Sequence, residues 1–141
     1  MELDILLLLS YKDNYYKYNK YIKDYTLTSE CNTILKDMDY YYTKNPTYTT
    51  IKWKDFSTWF SAVKHSSWNE QKLKTYQIIF KKLDKKSFGD LPNEEIVKHF
   101  VTMDYATRIF NEVAKVAEGL SNDMTPVYDL VSEHQTAMPL V

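Results

Sequence analysis

Few residues in this chain stand where chemistry would need them. The histidines His65, His99 and His134 are scattered, and none has a histidine or cysteine neighbour at zinc-ligand spacing. The carboxylate pairs Asp37/Asp39 and Glu94/Glu95 are too close in sequence to face each other. On a helix such neighbours point to different sides, so they form no acid–base dyad. Glu94 and Glu95 read better as helix-start charge against the positive end of the macrodipole. No local pattern places a nucleophile beside an oriented base. Gly89 is followed by Asp90 and Gly119 by Leu120, so the Gly-Lys-Ser/Thr phosphate loop is absent. We therefore expect no catalytic residues, no cofactor and no metal, and no ATP hydrolysis by that route.

Binding chemistry is better represented. Tyr11–Tyr25 interleaves aromatics with lysines, a mixture that can stack bases and track phosphates. Tyr15, Tyr18, Ile22 and Tyr25 recur at helical steps and read as a core stripe. That leaves Tyr16 and Tyr21 as the surface candidates. Lys81, Lys82, Lys85 and Lys86 cluster at the end of a later helix. They either complement its dipole or meet a nucleic acid or an acidic partner. Arg108 is the one arginine, and a guanidinium fork is the preferred reader of guanine, which argues against sequence-specific DNA recognition. Between Asp104 and Glu118, the residues Tyr105, Ile109, Phe110, Val113, Val116 and Ala117 cover a wide apolar arc. It exceeds what packing on one side requires. Either all of it is core, or part of it, with Tyr105, Ile109, Phe110, Val113 and Val116, pairs with another copy.

The elements that must position these residues are helical. The chain has 141 residues, with 44% hydrophobic and 26% charged positions, enough for one domain's core. Two glycines are too few for a hairpin-rich sandwich or barrel. Helices are expected over about 2–10, 13–25, 29–43, 53–64 and 67–84. Thr28 caps the third and a Ser67–Glu70 capping box opens the fifth. Phe56, Trp59, Phe60 and Val63 form the inward stripe of the fourth. Residues 47–52 alternate like a strand but have no partner, so they read as loop. Phe88-Gly89-Asp90 breaks the chain. Pro92-Asn93-Glu94-Glu95 then starts a helix that ends near Thr102 or continues with a kink toward Glu118, with Gly119 as C-cap. Thr125-Pro126 opens the last helix, with Val127, Leu130 and Val131 inward. The fold class is all-α: a helical bundle over 1–90 and a C-terminal helical hairpin over 91–141.

Net charge is −1, but it is divided unevenly. Residues 1–88 hold 15 lysines against 10 acids, whereas residues 89–141 hold two lysines and Arg108 against nine. Such a bipolar chain suits contacts between copies as well as two ordinary solvated faces. A single cysteine, Cys31, fits a reducing compartment. The apolar start Leu3–Leu9 follows acids and is too short to span a bilayer. A cytoplasmic protein without a membrane partner is expected. The apolar tail Met138-Pro139-Leu140-Val141 suggests a piece of a longer chain.

The order of these features resembles the N-terminal domain of DnaB-like replicative helicases, in the divergent forms carried by bacteriophages. The resemblance is carried by Leu3–Leu9, by Phe56-Ser57-Thr58-Trp59-Phe60, and by Pro92-Asn93-Glu94-Glu95-Ile96-Val97. It also rests on Asp104–Phe110 running to Ala117-Glu118-Gly119. The glycine-rich stretch between helices of the cellular members is missing. The resemblance implies an all-helical collar domain that packs against other copies of itself in a ring. It also implies docking of a primase or helicase loader, and DNA contact mainly through a separate motor domain. The location would be the host cytoplasm. No catalytic residue is carried over. Two other readings compete: a small independent phage protein that binds proteins, and a weak non-specific single-strand binder.

Overall fold

A computed structural model describes residues 2–22, 27–87 and 92–141. It is 78% helical, with seven helices and, among the described residues, no strands, which makes the protein an all-α multi-helix bundle. The helices are α1 (Glu2–Leu9), α2 (Lys12–Tyr18), α3 (Ser29–Lys44), α4 (Trp53–Trp59), α5 (Glu70–Lys85), α6 (Asn93–Ala117) and α7 (Thr125–Ala137). The chain divides into two units, Met1–Asp90 and Leu91–Val141.

The first unit is organised by α1 and by an aromatic cluster. Ile5, Leu6, Leu8 and Leu9 are fully buried, as an apolar run without a polar face requires. α1 packs against α2, α3 and α5. Phe56 sits among the rings of Tyr41, Trp53, Trp59, Phe60 and Phe80, at centroid distances of 5.2–6.2 Å. Residues 45–52 contain no strand. They are tied back by Lys12 N donating to Thr49 O at 2.9 Å and Ile51 N donating to Ser10 O at 2.7 Å. The result is one isolated antiparallel bridge, Tyr11 to Thr50.

Several local expectations are corrected. The second helix is shorter than 13–25. It tightens into a 3-10 turn at Asn19–Tyr21, and Ile22 is extended at φ −96°, ψ 115°. Asparagines and tyrosines are weak helix formers, and Asn19 favours an end over an interior. Lys23, Asp24 and Tyr25 lie outside the described residues, as does Phe88-Gly89-Asp90. Thr28 does cap α3, its hydroxyl accepting from Cys31 N at 3.4 Å. The fourth helix changes character at Phe60–Lys64, a π-helical turn closed by His65 N donating to Phe60 O at 2.9 Å. The wider turn keeps Phe60 buried but rotates Val63 out to solvent. The Ser67–Glu70 capping box does not form. Residues 65–67 are taken up in a turn, so Asn69 becomes the N-cap and its Oδ1 accepts from Lys72 N at 2.8 Å.

In the second unit α6 runs unbroken for 25 residues, since neither glycine nor proline interrupts it. Gly119 ends it at φ 77°, with Leu120 N donating to Lys115 O and Gly119 N to Val116 O. Those two bonds form a Schellman cap, whose left-handed position suits glycine. α7 returns antiparallel: His134 Nε2 lies 3.3 Å from Thr102 Oγ1, and its ring meets Tyr105 edge-on. Within α7 Val127 is buried, Leu130 is half-buried and Val131 is exposed, so the last two are less enclosed than expected. No described helix is long and apolar enough to cross a membrane.

Two buried phenols make stability depend on alkaline pH. Tyr42 OH donates to Leu9 O at 2.9 Å, and Tyr15 OH donates to Asp39 Oδ1 at 3.0 Å. Burial pushes both hydroxyls well above the ordinary tyrosine range, with Asp39 adding to the effect on Tyr15. Unfolded tyrosine loses its proton near pH 10, so above that pH the folded chain holds more protons than the unfolded one. Stability should therefore hold up to about pH 10 and then fall by about 1.4 kcal/mol per pH unit for each phenol. Urea unfolding between pH 9 and 11 would measure the slope. Tyr42→Phe should remove its own share of it.

Candidate interaction surfaces

The arc on α6 separates into two stripes. Tyr105, Ile109 and Val116 are half-buried, on the side where Tyr105 meets His134 of α7. Arg108 reinforces that side, its guanidinium 4.3 Å from the Tyr105 ring and its Nη2 donating to Asp104 Oδ2 at 2.9 Å. Phe110 and Val113 belong to the other stripe, and they are 70% and 40% exposed. The arc is therefore not all core. Part of it is covered within the hairpin, and part is open.

The open stripe is longer than its two expected members. Met103, Ala106, Phe110, Val113 and Ala117 are all exposed. Their steps of three, four, three and four residues are the spacing of a coiled-coil seam. At 1.5 Å per residue the seam is about 22 Å long. The positions beside it, Thr107, Ile109, Ala114 and Val116, carry no charge. Met103 and Ala106 escaped the sequence reading because the stripe was followed from Tyr105. Only exposure separates the two phases.

No family model matches the chain. Neither does any curated protein or any solved structure. The surfaces must therefore be read from their own chemistry.

The lysine and tyrosine candidates do not form one site. Tyr16 is exposed and packs edge-on against Tyr15, whereas Tyr21 is half-buried with Lys20 Nζ 5.2 Å from its ring. Lys81, Lys82, Lys85 and Lys86 are all exposed. Lys86 reaches Asp4 at 3.2 Å. A lysine–aromatic cluster that the sequence reading missed lies elsewhere. Lys64 Nζ stands 4.2 Å from the Tyr40 ring, which stacks on Trp59 at 6.0 Å. These residues come from α3, α4 and the π turn, so no single sequence window reveals them.

One polar pair is enclosed. His65 Nε2 and Asp37 Oδ2 are 2.5 Å apart, with both side chains largely buried. The imidazole stacks on Trp68 at 3.7 Å, and Lys72 Nζ lies 3.8 Å from the centroid of the same Trp68 ring. The pair joins α3 to the turn before α5. Among the described residues no group of three or more histidines, cysteines and acids is arranged to hold a metal ion.

Proposed function

We propose that this chain is a non-catalytic interaction and oligomerisation domain, of the kind that forms the collar of a phage replicative helicase. Its α6–α7 hairpin would hold neighbouring copies in register and offer a surface to a primase or loader. The supporting observation is the exposed seam Met103, Ala106, Phe110, Val113 and Ala117. A heptad-spaced apolar stripe gains little in water, whereas pairing with another helix buries it at about 25 cal/mol per Å². The uncharged flanks impose no like-charge repulsion between identical copies. The helicase context rests on the helical order and on the absence of a phosphate loop from these residues.

Sedimentation of the chain over a wide concentration range tests the assembly. Mass should rise with concentration. Phe110→Glu with Val113→Glu should hold the chain monomeric while leaving its helical content unchanged, because both side chains already face solvent. A wild-type chain that stays monomeric throughout would overturn the proposal. The coding frame beyond Val141 tests the context: a Gly-Lys-Ser/Thr loop there supports the helicase, and a stop codon supports an independent protein.

A further inference from the structure

Three clefts of the first unit adjoin through shared lining residues. The first, of about 490 Å³, is lined by Tyr41, Tyr48, Thr49, Thr50, Lys52 and Asp55, among others. The second, of about 400 Å³, shares Thr50, Lys52 and Asp55 with it and adds Tyr11, Lys54 and Lys86. The third, of about 260 Å³, shares Trp53, Lys54 and Asp84 with the second and adds Lys81. Together they make a trough over the loop 45–52, the start of α4 and the end of α5. Lys52, Lys54, Lys81 and Lys86 border it, against the carboxylates Asp55 and Asp84, and Lys86 is paired with Asp4 at 3.2 Å. Tyr11 and Tyr48 stand along it, each 46% exposed. Trp53 lies between the second and third clefts, only 4% exposed. Its indole Nε1 is buried and has no acceptor among the described residues.

We infer that this trough binds a single-stranded nucleic acid. The ammonium groups of Lys52, Lys54 and Lys81 can follow a phosphate backbone, and exposed tyrosine rings accept bases of any identity. The threonine hydroxyls both donate and accept. Asp55 and Asp84 can accept from exocyclic amino groups of bases, donors that a run of peptide carboxylates does not offer. The site uses Lys81 and Lys86 of the expected cluster. It replaces Tyr16 and Tyr21 with Tyr11 and Tyr48. It lies in the first unit and does not depend on self-association through α6.

Fluorescence anisotropy of the full chain with a labelled twelve-nucleotide deoxycytidine oligomer tests this. Parallel arms use the ribonucleotide oligomer, an abasic strand of equal length, and polyglutamate. The stronger of the DNA and RNA arms identifies the strand. Binding should weaken with salt at a log–log slope of about −2, for three phosphates at about −0.7 each. Lys52→Ala with Lys54→Ala should bring the slope to about −0.7. Tyr48→Ala should weaken binding roughly 5- to 100-fold without changing the slope. Lys36→Ala with Lys74→Ala removes equal charge outside the trough and should change affinity by no more than about twofold. Three results would overturn the inference. They are no binding of either strand at low salt, equal binding of the abasic strand or polyglutamate, or an equal loss from Lys36 and Lys74.

Discussion

Replacing Phe56 with alanine is expected to cost the first unit about 3–5 kcal/mol, the range for removing a buried aromatic ring. Phe56 is fully buried, and five aromatic rings surround it. Edge-to-face pairs add stabilisation beyond burial, and each would be lost. The hole cannot close readily. Its walls come from α3, α4 and α5, and Tyr41 and Trp53 are themselves held by other rings. Since small domains have total stabilities of about 5–15 kcal/mol, the variant should unfold far earlier in urea. Phe56→Leu should recover part of the loss. Tryptophan fluorescence would report the transition, because Trp53 and Trp59 touch the altered site. An unchanged midpoint for Phe56→Ala would mean that the aromatic cluster does not organise the unit.

The second large effect is expected at His65 and Asp37. His65→Phe keeps a ring against Trp68 and Phe60 but leaves the Asp37 carboxylate buried without its partner. Stranding a buried charge in this way costs about 3–5 kcal/mol. Asp37→Leu alone should cost less, about 1–3 kcal/mol, since the imidazole loses one hydrogen bond but keeps its stacking on Trp68. The double variant, with an apolar pair of similar volume, should be close to wild type. The distinguishing result is non-additivity: the double change should be milder than His65→Phe alone. Additive losses would show that the 2.5 Å contact carries no coupling.

These effects trace to features of very different legibility. The all-α class was readable, because two glycines and repeated 3.6-residue apolar spacing leave little alternative. So were Thr28 as a cap and Gly119 as the end of α6. Each depends on residues within one turn of each other. The length of α2, the cap of α5 and the exposure of Val63 were misread. In each case a neighbouring turn changed the local phase. The π turn at Phe60–Lys64 has no marker residue, and it sets the direction of everything up to Asn69.

The surfaces were less legible than the fold. On α6 the five expected interface residues belong to two stripes, and apolar character is the same on both. The His65–Asp37 pair spans 28 residues, and the trough joins Tyr11, Tyr48, Lys54 and Lys81 from four separate segments. By itself, the sequence determined the helices, their approximate order and the lack of a phosphate loop, since these follow from local spacing and residue type. Only the tertiary structure decided which apolar face stays open and which lysines and tyrosines share a channel. Those outcomes depend on how segments distant in sequence meet, and no local period encodes that.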